Sequence, residues 1–322
     1  MPNPGEISEQ LTRESERRAR LGVPAFAGGV LYFLSAIIVT ATLSSAPTVG
    51  LVQGLAPALS GVADPAVSPR AVEVKYISHH AFGLIAASAI KAIALVALML
   101  VLLLLLDATR FRRPETWSAA RPLVLFGGIA LALVSVAHQL TGAIQAHSFA
   151  VGHDFSNRAV DEALTKGAVN VGSQYLDLLA ALALTAGMIA VSLNAIRVGL
   201  LTRWMGVIGI FSGILIFLPI GGATLEIVPA FWMIAMGILY LGRWPNGDPP
   251  AWAAGEARPW PTQAERRAER GSQDSGGPAP KGKRGAGAEP ALLASGSEVS
   301  APSAQPAAGA SRKRRRKRRA GG

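Results

Sequence analysis

The stretch from Phe82 to Leu106 contains Ala97-Leu98-Met99-Leu100-Val101 and an unbroken leucine run from Leu102 to Leu106, then breaks at Asp107 into Arg110, Arg112 and Arg113. About 20 apolar residues rising 1.5 Å each cross the hydrocarbon core of a bilayer, and a run of this length is unusual in a soluble core helix. It reads as a membrane span with its cytoplasmic stop. Weaker apolar segments repeat the pattern and give expected spans over residues 21–43, 82–106, 122–146, 171–196, 204–220 and 224–241. The expected fold class is therefore all-α, a polytopic transmembrane bundle of six helices. A cytoplasmic segment (residues 1–20) precedes the bundle at 21–243, and a disordered basic tail (244–322) follows it.

Composition agrees, with half of the residues hydrophobic and 16% charged. The net charge of +11 is concentrated: residues 243–322 carry 16 Lys and Arg against 7 Asp and Glu, a net of +9. The tail is rich in Pro, Gly, Ala and Ser without apolar periodicity, the signature of a segment that cannot bury a core. Cysteine is absent, which removes disulfides, thiolate metal sites and cysteine nucleophiles. Ser44-Ser45-Ala46 resembles a signal-peptide cleavage site, but four acids precede the apolar run, which is also too long for a signal peptide. Span one is accordingly read as retained.

Loop charge sets the orientation. The N-terminus and the segments after spans two, four and six hold 4, 4, 2 and 16 Lys and Arg, whereas the loops after spans one and three hold two each. By the positive-inside rule both termini are cytoplasmic, and the expected location is the cytoplasmic membrane. Ser156 or Asn157 is expected to cap a short helix that ends at Lys166, with Gly167 as its stop, in the second outer loop, and the two outer loops to form a cap.

Counting outward from the estimated cytoplasmic ends brings Lys91, His138, Asp177 and Glu226, on four different spans, to the outer leaflet, about 22 Å up or somewhat more. Ionisable groups at that depth are costly unless they face the bundle interior and pair, so they are candidates for a substrate, ion or proton site. The expected arrangement pairs Lys91 with Asp177, with His138 and Glu226 lining a cavity open to the outer side. The bland alternative is a structural salt bridge, or a Lys91 that snorkels to the headgroups.

All five histidines fall on the outer half. His79, His80, His147 and His153 are weak metal candidates, because no pair has the spacing that places two ligands on one helical face. No cofactor is expected. Ser212-Gly213 faintly resembles an intramembrane serine protease, but span six offers no histidine base, and Walker-type loops are absent, so an enzyme is not expected. Small residues at Ala25 and Gly29, Ala183 and Gly187, and Gly209 and Gly213 have helix-packing spacing. The terminal run Arg312, Lys313, Arg314, Arg315, Arg316, Lys317, Arg318, Arg319 suits anionic lipid headgroups; without interleaved aromatics it suits no specific nucleic acid.

The stretches Ala27-Gly28-Gly29-Val30-Leu31-Tyr32 and Leu201-Thr202-Arg203-Trp204-Met205-Gly206-Val207-Ile208-Gly209 resemble a group of bacterial six-helix integral membrane proteins described only as a domain of unknown function. That resemblance covers residues 15–243 and implies the bundle fold without supplying catalytic residues. The function expected is an interaction or envelope-associated role in the bilayer. The rival is a small solute, ion or proton-coupled transporter using the polar layer.

Overall fold

The computed structural model describes residues 4–61, 67–152, 154–163, 168–218, 225–245 and 247–260. Among them the chain is helical: α1 (Pro4–Ser44), α2 (Leu51–Leu59), α3 (Ala71–Arg112), α4 (Ala120–Val151), α5 (Asn157–Asp161), α6 (Ala168–Val198), α7 (Arg203–Phe217), α8 (Ile227–Tyr240) and α9 (Pro250–Ala254). The four helical stretches Gly5–Ser44, Ala71–Arg112, Ala120–Val151 and Gly172–Val198 are long and apolar enough to cross a membrane. Helices α7 and α8 are apolar but short. At 1.5 Å per residue they reach only about 22 and 21 Å, less than the core thickness of about 30 Å.

Packing runs in a cycle: α1 lies on α3, α3 on α4, α4 on α6, α6 on α7, α7 on α8 and α8 back on α1, with α3 also touching α6. Glycine permits the close approaches. A Cβ on Gly127 of α4 would lie 2.7 Å from Leu184 Cα of α6, and one on Gly187 of α6 would lie 2.6 Å from Val124 Cγ2. On the other side, a Cβ on Gly237 of α8 would lie 2.5 Å from the Phe26 amide nitrogen of α1. In lipid, such backbone proximity supplies the van der Waals contact that associates helices. The end of the bundle that carries residues 4–20 and 247–260 is called inner, as a label for that end alone, and the opposite one outer. Towards the inner end, Leu95, Leu98, Leu102, Leu105, Leu184, Met188, Trp232, Met233 and Met236 are fully buried in one core.

The outer half packs differently. A second, smaller cluster joins Ala71, Val74, Ala146, Phe149 and Val160, and the two outer loops meet where Val67 bridges Phe155 and the Ser68 amide donates to the Phe155 carbonyl at 2.7 Å. Ser156 is the N-cap of α5, its hydroxyl accepting from the Ala159 amide. Backbone donation from Ser156 (2.9 Å) holds the exposed Asp154 carboxyl below its usual range. The short helix expected to run to Lys166 ends as α-helix at Asp161, and residues 164–167 are outside the described set.

Three boundaries need correction. Residues 4–20 are continuous with span one, because its helix begins at Pro4; Glu14 (3% exposed) and Arg18 (9%) on that stretch are buried. His79 and His80 lie on α3 rather than in a loop, since that helix starts at Ala71. The expected tail also begins too early: residues 247–260 fold onto the inner end, with Trp252 4% exposed. The disorder expected beyond, and the basic run Arg312–Arg319, concern residues outside the described set.

Local chemistry explains this inner clamp. The Arg112 side chain is fully buried and uses every donor: Nη1 and Nη2 each donate to a Glu14 carboxylate oxygen at 2.8 Å, Nη1 also to Ala108 O, and Nε and Nη2 to Ala251 O. A guanidinium fork matches a carboxylate in this way and leaves no buried charge unpaired. Arg18 bonds Asp248 and the Leu239 carbonyl and lies 4.5 Å over the Trp252 ring, whose indole N–H donates to Leu200 O at 3.0 Å. Gly255 ends α9 at φ 69°, a left-handed conformation open to glycine, with Ile7 pressed against it.

Candidate functional site

The helix contacts fix the register of the polar residues. Gly28 of α1 faces Ala97 of α3 and Met233 of α8, Gly128 of α4 faces Met99 of α3, and Gly127 faces Leu184 of α6. Taking this belt as a reference plane, helix rise places Lys91, Asp177 and Glu226 about 10 Å outward of it and His138 about 15 Å. Below that layer the leucine and methionine core is closed, and above it is the small cluster of the cap.

Lys91 Nζ donates to Glu226 Oε1 at 2.5 Å. This is the ion pair of the layer, so the expected partnership of Lys91 with Asp177 is overturned. Glu226 is the N-cap residue of α8 and reaches Lys91 from the helix start, whereas Asp177 sits on an exposed face of α6 and forms no ion pair among the described residues. The Lys91 ammonium also lies 5.6 Å over the ring of Tyr32, which is 2% exposed. A cation so placed gains from the ring's negative face. Neither charged side chain is sealed: 31% of Lys91 and 24% of Glu226 remain accessible.

That access follows from how the outer half of α6 is held. From Gln174 to Leu179 every residue is exposed, although the same helix is tightly packed from Ala180 inward. A Cβ on Gly83, Gly142 or Gly172 would meet nothing within 4 Å, in contrast with the crowded glycines of the inner half. His138 is exposed and its Nδ1 lies 3.4 Å from Ser173 Oγ, which ties α4 to α6 across the separation. The inner half of the bundle is thus closed and its outer half loosened at the level of the four ionisable residues.

The metal candidates do not assemble. Among the described residues no group of three potential ligands forms. His80 stacks on Tyr76 and its Nδ1 lies 2.9 Å from the Tyr76 carbonyl, His147 lies on α4, and His153 is outside the described set. Ser212 Oγ is buried and has no hydrogen-bond partner among the described residues, none of which is placed to activate it as a nucleophile. What sequence reading missed is the role of Tyr32 and the inner clamp. The signal for Tyr32 was an aromatic in mid-span, the same pattern that core packing produces.

Compared with protein-family models, characterised proteins and solved structures, the chain matches none.

Proposed function

We propose that the chain is a six-span integral membrane protein of the cytoplasmic membrane, with both termini cytoplasmic and a polar recess that opens outward and binds a small solute or ion. The observation that carries the reading is the Lys91–Glu226 pair: it stands at the boundary between the closed and the loosened halves and remains partly accessible. Ionisable groups at such depth are retained where they face a cavity or bundle interior. Transporters commonly place their sites there and use interrupted or short helices, as α7 and α8 are. The orientation draws support from the loop charges and from exposed Trp117 and Trp204, each close to arginine at the inner boundary, where amphipathic rings settle.

The kinship of the span-one and span-five stretches with bacterial six-helix membrane proteins belongs to the same proposal, as does binding of residues 312–319 to anionic headgroups at about 1 kcal/mol per cation near the surface. No chemical step is assigned to the chain. An interaction or envelope role is the second reading, favoured by the outer cap where Val67 joins Phe155.

Proteoliposomes carrying a pH or cation gradient separate the two. Under the transport reading the wild type dissipates the gradient faster than the Lys91→Met, Glu226→Gln double variant. Equal leak from wild type, variant and empty vesicles removes transport and leaves the interaction role.

A further inference from the structure

Charge in the polar layer does not balance. Lys91 and Glu226 cancel one another across 2.5 Å, and the carboxylate of Asp177 is left outside that pair. Asp177 has no ion-pair partner of its own among the described residues, and its neighbours along α6 are Leu176, Leu178, Leu179 and Ala180. The groups that act on it electrostatically are Lys91 from α3 and His138 from α4; α7, which also packs on α6, carries no titratable residue except Arg203 at its inner end. Asp177 is exposed, yet it stands at membrane depth beside apolar side chains and without an ion-pair partner, where a positive charge brought to it from the recess stabilises it.

Resting on the outward-open recess proposed above, we infer that Asp177 is the binding site for one monovalent cation, with Ser173 and His138 flanking it on the outer side and the Lys91–Glu226 pair at its own depth. Lys91 is committed to Glu226 and to the face of Tyr32, so the charge that neutralises Asp177 comes from the outside solution. A divalent metal ion does not suit the arrangement, since one carboxylate and one imidazole fall short of the ligand number such ions take. A proton and an alkali or ammonium ion share the required charge and size.

Purified protein in nanodiscs is melted under two series of conditions. In one, pH is varied in choline buffer at constant ionic strength; in the other, Na+, K+ or NH4+ replaces choline at fixed pH. A ligand that binds the folded state raises its melting temperature by mass action, here by about 5 °C at a ligand concentration of roughly 100 Kd. Dependence on pH alone identifies the proton, and dependence on the cation at fixed pH identifies the ion. In either case Asp177→Asn flattens the response, because the variant carries no charge to neutralise, while Asp177→Glu retains it.

An Asp177→Asn protein that still folds and keeps the full wild-type response overturns the inference, as does a wild type unaffected by both series. Mutant-cycle coupling between Lys91 and Glu226 can survive either result. Failure here is therefore distinguishable from failure of the outward-open site itself.

Discussion

Lys91 of α3 and Glu226 at the start of α8 are separated by 135 residues in sequence and by 2.5 Å in space. The contact joins the longest helix to the second of the two short apolar helices, above a core closed by leucine and methionine. If it holds these elements together, Lys91→Met and Glu226→Gln each strand a charge. Breaking a fully buried pair from one side costs about 3–5 kcal/mol; with part of both side chains accessible, the expected loss is about 1–3 kcal/mol. Denaturation of the detergent-solubilised double variant should recover much of it. Pairing Lys91→Met with Asp177→Leu should give no such recovery.

The glycine contacts predict a sharp contrast between inner and outer helix crossings. Gly237→Ala pushes a methyl group against the Phe26 backbone and should destabilise by about 1–3 kcal/mol. Gly142→Ala meets open space and should be neutral or stabilising, by up to about 1 kcal/mol, because alanine loses less conformational entropy in a helix. Thermal melts of the two proteins, measured side by side, check the contrast.

The inner clamp makes residues 248–260 part of the folded domain. Trp252→Ala removes a buried ring that two arginines and Tyr240 surround, with an expected cost of about 3–5 kcal/mol. Ending the chain after Gly247 should lower the melting temperature in the same way, whereas ending it after Arg267, which leaves the whole clamp in place, should change it far less. Equal melting of both truncations would show that the clamp contributes nothing.

The absence of cysteine allows a clean topology test. Single cysteines at Ser60 and Ser156 should react with an impermeant maleimide in intact cells, and one at Ser272 should react only after lysis. The reverse pattern would invert the proposed orientation.

Hydropathy alone located the apolar helices, because burial in lipid needs only length and composition, and Phe82 to Leu106 has both. It could not reveal where helices end when polar residues continue them. Glu14 and Arg18 look like solvated charges until Arg112 and Asp248, distant in sequence, arrive to pair with them. Residues 247–260 escaped notice for the same reason: they are anchored by the Arg112 fork and the Trp252 indole rather than by an apolar stripe. The ionisable residues of the layer were visible as a depth coincidence. Choosing Glu226 over Asp177 as partner of Lys91 required the rotation of α3 and α8 about their axes, which the glycine contacts set and a count of residues does not contain.

The central claim is that the loosened outer half admits water to the polar layer while the inner half excludes it, and cysteine accessibility tests it most directly. Ser173 lies beside His138 on the open part of α6, and Ser192 is fully buried lower on the same helix. In intact cells a small charged thiosulfonate should modify Ser173→Cys at a rate comparable to Ser156→Cys and leave Ser192→Cys unreacted. An inert Ser173→Cys beside a reactive Ser156→Cys would mean that lipid or protein seals the layer, and the outward-open site would be contradicted.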